Sequence, residues 1–243
     1  MLIMDELFMN VRTQGEFASH IIEKTKTFGA SLAGIVDIDS VLGSPSHRNY
    51  KKRRSMWGTS FLVIALSHPG TEPALDWWDG KEGGSPGNRR MIDIGDRIAE
   101  CMKEEFNIKA RLLPYHVERG GIFLKDAAVL AGLGVIGGNN LLITPEYGPR
   151  IRLRALCLDA KLASTGPMDF SPCDSCDIRC REACPQKAFT QGSYGRDLCM
   201  KQMGLDQANR EALETEVEDP LREYVKYCRA CELVCPAGQE NSS

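Results

Sequence analysis

Cysteine spacing constrains this chain more than any other feature. Four cysteines fall within twelve residues in Cys173-Asp-Ser-Cys176-Asp-Ile-Arg-Cys180-Arg-Glu-Ala-Cys184-Pro185. A second run, Cys228-Arg-Ala-Cys231-Glu-Leu-Val-Cys235-Pro236, follows near the C-terminus. Short-spaced thiolates that end in Cys-Pro are how a chain wraps a cubane iron–sulfur cluster. Zinc is the first alternative, but it takes two separated C-x2-C pairs or cysteine with histidine, and neither run has a histidine nearby. Disulfides are the second, and they require an oxidising compartment.

The thiol arithmetic gives two clusters. The first run offers four cysteines and the second three, so one more is needed to make eight. Cys199, between the runs in Arg196-Asp197-Leu198-Cys199, supplies it. In two-cluster patterns the cysteine before the proline crosses to the other cluster. That rule puts Cys173, Cys176, Cys180 and Cys235 on one [4Fe–4S] cluster, and Cys184, Cys199, Cys228 and Cys231 on the other. The first run departs from the bacterial pattern, with three residues rather than two between Cys176 and Cys180. Cys101 and Cys157, in helix-like and strand-like settings, are expected to pack rather than to bind.

Composition sets the remaining bounds. A chain of 243 residues with 26% charged residues is globular, in one large domain or two small ones. Its net charge of −3 argues against nucleic acid as the main partner. No apolar run approaches the ~20 residues of a membrane helix, so no membrane partner is expected. The first residues, Met1-Leu-Ile-Met-Asp-Glu-Leu, carry acids where a signal peptide carries lysine or arginine. A cytoplasmic protein follows, and open-faced clusters point to an anaerobic or low-oxygen setting.

Hydrophobic periodicity predicts a helix over residues 16–28, ended by Gly29, and strands at Leu32–Ile38 and Phe61–Ser67. Residues 43–60 are polar and basic, read as a solvated surface segment. His68 ends a strand and is taken as structural. Residues 69–90 read as a long loop, in which Trp77 and Trp78 either wall a flat ligand or anchor the loop. Helices follow at 91–106 and 122–131. Gly132-Leu-Gly134-Val-Ile-Gly137 then matches the dinucleotide fingerprint in letters, with Asp159 about twenty residues on. Its context is wrong, because the run follows a helix and leads to a strand instead of the reverse. A tight turn is expected there, where the backbone approaches something closely. Leu141–Thr144 reads as a strand, and Ile151–Leu158 as a strand half exposed on one face. Residues 161–172 read as a domain boundary, and an acidic helix is expected around 205–225.

The order of these features resembles the epoxyqueuosine reductases and, more distantly, the corrinoid reductive dehalogenases. The resemblance rests on Leu32-Ala-Gly-Ile-Val, Phe61-Leu-Val-Ile-Ala-Leu, Ala131-Gly-Leu-Gly-Val-Ile-Gly137, Glu146-Tyr-Gly148 and the cysteine runs, and it covers about residues 15 to 237. It implies an α+β chain: a nitroreductase-like α/β domain over 1–165 that binds cobalamin, then a ferredoxin-like module with two [4Fe–4S] clusters over 166–243. It also implies that Tyr115, Lys125, Gly134, Gly137 and Asn139 contact the corrinoid. The family's proton-donating aspartate lies thirteen residues before the alanine of its A-G-L-G segment, and Glu118 occupies that place here. Glu118 is thus the expected catalytic acid, with His116 and Tyr115 beside it. The family continues into helical repeats that help grip transfer RNA, whereas this sequence stops just after its second cysteine run. With both departures, epoxyqueuosine in transfer RNA is not the expected substrate.

Two clusters linked through Cys-Pro crossings form a one-electron relay, fed by a low-potential donor of ferredoxin or flavodoxin type. Three destinations for the electron remain open. It reaches a corrinoid in the N-terminal domain, or a separate partner such as a corrinoid protein, or a flavin held by the same architecture.

Overall fold

The structure, a computed structural model, describes residues 11–50, 57–189, 193–214 and 224–238. The chain divides into two compact units. One comprises Met1–Leu66, Asp93–Leu133 and Leu153–Met168, and the other Ser67–Ile92, Gly134–Arg152 and Asp169–Ser243. The second unit thus draws on stretches well upstream of the cysteine runs.

The first unit is built on a mixed α/β core. Helix α1 (Val11–Thr27) buries Ala18, Ile21 and Thr25 on one face. Gly29, at φ +105°, ends it in a conformation that disfavours a side chain. Strand β1 (Leu32–Asp37) pairs antiparallel with β2 (Ser60–Ser67), Leu32 opposite Ala65 and Asp37 opposite Ser60. Strand β3 (Ala110–Leu112) pairs antiparallel with β6 (Ile151–Leu158), giving the sheet order β1-β2-β6-β3. From Phe61 to Leu66 β2 is buried on both faces, which is why the run is apolar without alternation. Strand β6 departs from the expected half-exposed strand, because every residue from Arg154 to Leu158 is buried. The Arg154 guanidinium lies 5.2 Å over the Tyr115 ring, which accommodates the buried cation. Cys157 packs in this strand, fully buried.

Helix α4 (Pro86–Phe106) begins earlier than apolar spacing suggests, inside the expected loop. The Ser85 hydroxyl accepts the Asn88 N–H and Pro86 takes the first turn, a start that the Ser-Pro pair encodes. Between β1 and β2 lie α2 (Ile38–Leu42) and α3 (Pro45–Arg48). Within the expected basic surface segment His47 is buried, its ring edge-on to Phe123 at 4.8 Å. Residues 51–56 of that segment lie outside the described residues.

Helix α5 (Leu124–Leu130) leads to Ala131 and Gly132, where the chain meets β1 closely. A Cβ on Gly34 would stand 2.4 Å from the Ala131 carbonyl oxygen. In the second unit, β4 (Val135–Ile136) and β5 (Leu142–Ile143) form a short hairpin around the glycine-rich turn. Helices α6 (Arg179–Glu182), α7 (Arg196–Glu214) and α8 (Ala230–Leu233) carry the cysteine region. Helix α7 starts nine residues before the acidic stretch expected at 205, while 215–223 lie outside the described residues. Among the described residues no helix is long and apolar enough to cross a membrane.

Two glycines should respond oppositely to alanine. Gly34→Ala overpacks the sheet and is expected to destabilise by roughly 1–3 kcal/mol. Gly204→Ala, in exposed α7 with nothing within 4 Å of the new methyl, should stabilise by roughly 0.5–1 kcal/mol. Denaturant midpoints of the two variants check both signs.

Candidate functional site

The seven cysteines of the two runs and Cys199 all fall in the second unit, where the fold sorts them into two groups. Cys173, Cys176, Cys180 and Cys235 line one cavity of about 590 Å³, with Phe170 and Ile143 as apolar walls. Ile178, held at φ +54°, turns the chain into α6 so that Cys180 lies on this cavity. Burial pushes the Cys180 thiol up, and the neighbouring Cys235, Cys173 and Cys176 add to the push. Cys235 is likewise raised, first by burial, against the opposing pull of Arg150.

Cys184, Cys199, Cys228 and Cys231 form the second group. Helix α7 supplies Cys199 and α8 supplies Cys231. Cys231 is pushed up to about 12, first by burial and then by Cys228, Cys184, Cys199 and Glu232. Cys228 is raised by burial, then by Asp206, Cys184 and Cys199. Tyr194 is raised too, first by burial and then by its hydrogen bond with Cys199.

Four cysteine sulfurs in each group have the chemistry of an iron–sulfur ligand set. Among the described residues no three Cys, His, Asp or Glu side chains are arranged to hold one metal ion. In a cubane each thiolate meets a different iron, so four sulfurs spread around a cavity instead of converging on a point. Cys180, Cys228, Cys231 and Cys235, raised first by burial, would give up their protons on metal loading. The eight cysteines expected as ligands lie in two sets of four. Cys101 and Cys157 lie apart from both, buried in α4 and β6.

The glycine turn braces these loops. Gly138 N–H donates to Cys173 Sγ at 3.4 Å, and Ala188 N–H to Cys184 Sγ at 3.3 Å. Asn139 is 3% exposed, and both ends of its amide are used. Its Nδ2 donates to the Cys231 carbonyl at 3.2 Å and its Oδ1 accepts from Leu141 N–H at 3.1 Å. Gly134 and Gly137 lie against Ile143, where a Cβ would stand 2.1 Å from its carbonyl oxygen and 2.5 Å from its side chain respectively. The close approach expected of this turn is thus to β5. Arg150, 5% exposed, donates to the carbonyls of Cys235 and Ala237, at 3.2 and 2.5 Å. Nothing in the motif reading singled out Arg150; its sequence signal is only a charged residue wedged between Gly148-Pro149 and an apolar strand. Gly148 and Gly238, both at positive φ, let the two segments touch.

The remaining candidates lie in the first unit. Tyr115, 56% exposed, stacks on Arg154, with His116 edge-on at 5.3 Å. Glu118 sits exposed on the 3-10 turn Val117–Arg119, closed by Gly120 at φ +100°. Lys125, on α5, is lowered by burial, with Asp126 opposing.

A mixed α/β fold that carries two sets of four thiols marks the chain as a relative of redox enzymes. It is related to epoxyqueuosine reductases and to reductive dehalogenases. It is 28% identical over 148 residues to an epoxyqueuosine reductase of Lactococcus garvieae, covering 61% of this chain and 39% of that one. It is 30% identical over 122 residues to a tetrachloroethene reductive dehalogenase of Sulfurospirillum multivorans, covering 47% and 23%. The chain thus spans about two-fifths of the first relative's length and less of the second's. No family model matches. The fold is shared with an epoxyqueuosine reductase solved with an epoxyqueuosine-modified tRNA-Tyr stem loop: TM-score 0.66, 19% identity, 94% of this chain and 67% of that one. A B12-dependent reductive dehalogenase gives TM-score 0.53 at 22% identity, over 75% and 27%.

Arg150→Met should leave the carbonyls of Cys235 and Ala237 without their donor and loosen the first group. Reconstituted protein is then expected to lose iron to a chelator several-fold faster than wild type; an unchanged rate would show that the Arg150 bonds do not brace the site.

Proposed function

We propose that the chain is an iron–sulfur oxidoreductase that passes single electrons through two [4Fe–4S] clusters to a corrinoid held by its N-terminal part, where a substrate is reduced. The observation that carries this reading is the sorting of eight cysteines into two sets of four. In it, residues 166–243 supply the cluster module, and a low-potential ferredoxin- or flavodoxin-type protein supplies the electrons. The protein would work in the cytoplasm at low oxygen. When bound, the clusters supply one-electron relay and the corrinoid supplies low-valent metal chemistry.

The chain's own residues do the rest. Cys173, Cys176, Cys180 and Cys235 hold one cluster; Cys184, Cys199, Cys228 and Cys231 hold the other. The N–H groups of Gly138 and Ala188 donate to ligand sulfurs, and such bonds tune reduction potential. Tyr115 and Lys125 offer a ring face and a partly desolvated cation to the corrinoid. Glu118, on the short closed loop Val117–Arg119, is the residue proposed to supply the proton that the reduced product takes up.

One observation favours a second reading. Gly134, Gly137 and Asn139, expected at the corrinoid, are engaged by β5 and the cysteine loops. A protein that only relays electrons to a separate corrinoid protein would need no more than this.

Anaerobic reconstitution followed by electron paramagnetic resonance, with cobalamin present, separates the two. The proposal expects about eight irons per chain, two reduced-cluster signals and a base-off cobalt(II) signal in one-to-one ratio with protein. Two clusters with cobalamin left free would establish the relay reading, and absence of clusters would overturn both. Cys199→Ala should lower the iron and distort one cluster signal only, while Cys157→Ala should leave both intact.

A further inference from the structure

Beside the second cysteine group lies a buried ion cluster that no sequence motif announces. It joins His68 after β2, Asp76 at the end of the 3-10 turn Pro73–Asp76, Arg152 on β6, and Arg229 and Glu232, which flank Cys231. The side chains of His68, Asp76 and Glu232 are only 5%, 10% and 11% exposed.

Asp76 is the hub. Its two carboxylate oxygens are shared between the Arg152 and Arg229 guanidiniums, and Oδ2 also lies 2.7 Å from His68 Nδ1. Arg229 pairs in turn with Glu232 and donates to the His68 carbonyl at 3.4 Å. Burial holds the His68 ring near pKa 4, with the two arginines adding to the effect against Glu232. The ring is therefore neutral at pH 7, so its Nδ1, 2.7 Å from Asp76 Oδ2 and 2.8 Å from an Arg229 guanidinium nitrogen, carries no charge into the cluster. Two guanidiniums then face two carboxylates, and the cluster balances.

Such a network contributes little net stability, since buried ion pairs roughly offset their own desolvation. What it does supply is fixed charge and fixed geometry beside a redox group. Arg229 lies between the ligands Cys228 and Cys231, so its anchoring to Asp76 holds their turn. Glu232 acts electrostatically at Cys231.

We propose that this ion cluster, with Asp76 as its hub, positions the Cys228–Cys231 turn and sets the reduction potential of the cluster held by Cys184, Cys199, Cys228 and Cys231. The inference rests on the iron–sulfur reading above. Reduction adds one electron, which a fixed negative charge opposes and a fixed positive charge favours. Removing the Asp76 charge must therefore ease reduction, and removing the Arg152 charge must hinder it. Removing both restores the balance.

Redox titrations of reconstituted wild type, D76N, R152M and the double variant, followed by electron paramagnetic resonance, read these signs. D76N is expected to shift one cluster toward easier reduction by about tenfold in the oxidised-to-reduced ratio, about 59 mV for a one-electron couple. R152M should shift it a similar amount the other way, and the double variant should return to wild type, with the Cys173 cluster unmoved throughout. If D76N loses the second cluster outright, E232Q takes its place with the same expected sign. Single variants that shift together, that move both clusters alike, or that move neither while iron is retained would overturn the inference alone. A wild type that binds no cluster would overturn the iron–sulfur reading itself, so the two failures are told apart by the iron count.

Discussion

Thiols brought together out of water repel one another once they ionise. That constraint governs the second unit. Cys231 is pushed up to about 12 because it is buried and faces Cys228, Cys184 and Cys199, and Cys180 is raised in the same way by Cys235, Cys173 and Cys176. In the proposed reading a cluster of several irons would repay four thiolates at once. The elements around the cysteines follow from this requirement. Short helices α6 and α8 set cysteines at one-turn spacing, prolines after Cys184 and Cys235 end the runs, and α7 brings Cys199 in from outside them.

The bracing follows from the same requirement. A cavity of about 590 Å³ walled by loops collapses unless its backbone is tied elsewhere, and the ties come from the β4–β5 hairpin and Arg150. Their form is economical: an N–H of Gly138 serves a sulfur, an amide of Asn139 serves a carbonyl, and one guanidinium serves two carbonyls. Glycine is required where these strands touch, since any Cβ on Gly148 would stand 1.9 Å from the Ala237 carbonyl oxygen. A run that matches a nucleotide fingerprint in letters thus has a different physical cause, the close approach of backbone to backbone.

Legibility in the sequence tracks how locally each feature is encoded. The helix over α1 and the strands β1 and β2 were readable because burial on one face or two leaves a periodic or continuous apolar pattern. The two cysteine runs were readable because their spacing is itself local. Strand β6 misled because Arg152 and Arg154 mimic an exposed face, while Arg154 is in fact buried under Tyr115, a partner some forty residues away. The start of α4 was encoded in Ser85-Pro86, but apolar spacing, which begins later, outweighed it. The ion cluster was invisible for the opposite reason. Its members come from four separated segments, and only Arg229 and Glu232 are spaced as helical neighbours.

That dispersal says something about how this site is kept in order. A redox centre held only by its own ligand loops would take its potential from whatever conformation those loops adopt. Here the turn between Cys228 and Cys231 is fixed through Arg229 to Asp76, a residue on a 3-10 turn with no ligand role. Arg152, on strand β6, is fixed to the same carboxylate. The charges of the ion cluster beside Cys231 are therefore set by residues outside the ligand loops as well as within them, and they balance only when all four charged members are in place. A network that costs as much in desolvation as it returns in Coulomb energy persists where charge and geometry matter more than stability, as they would beside the one-electron centre proposed here.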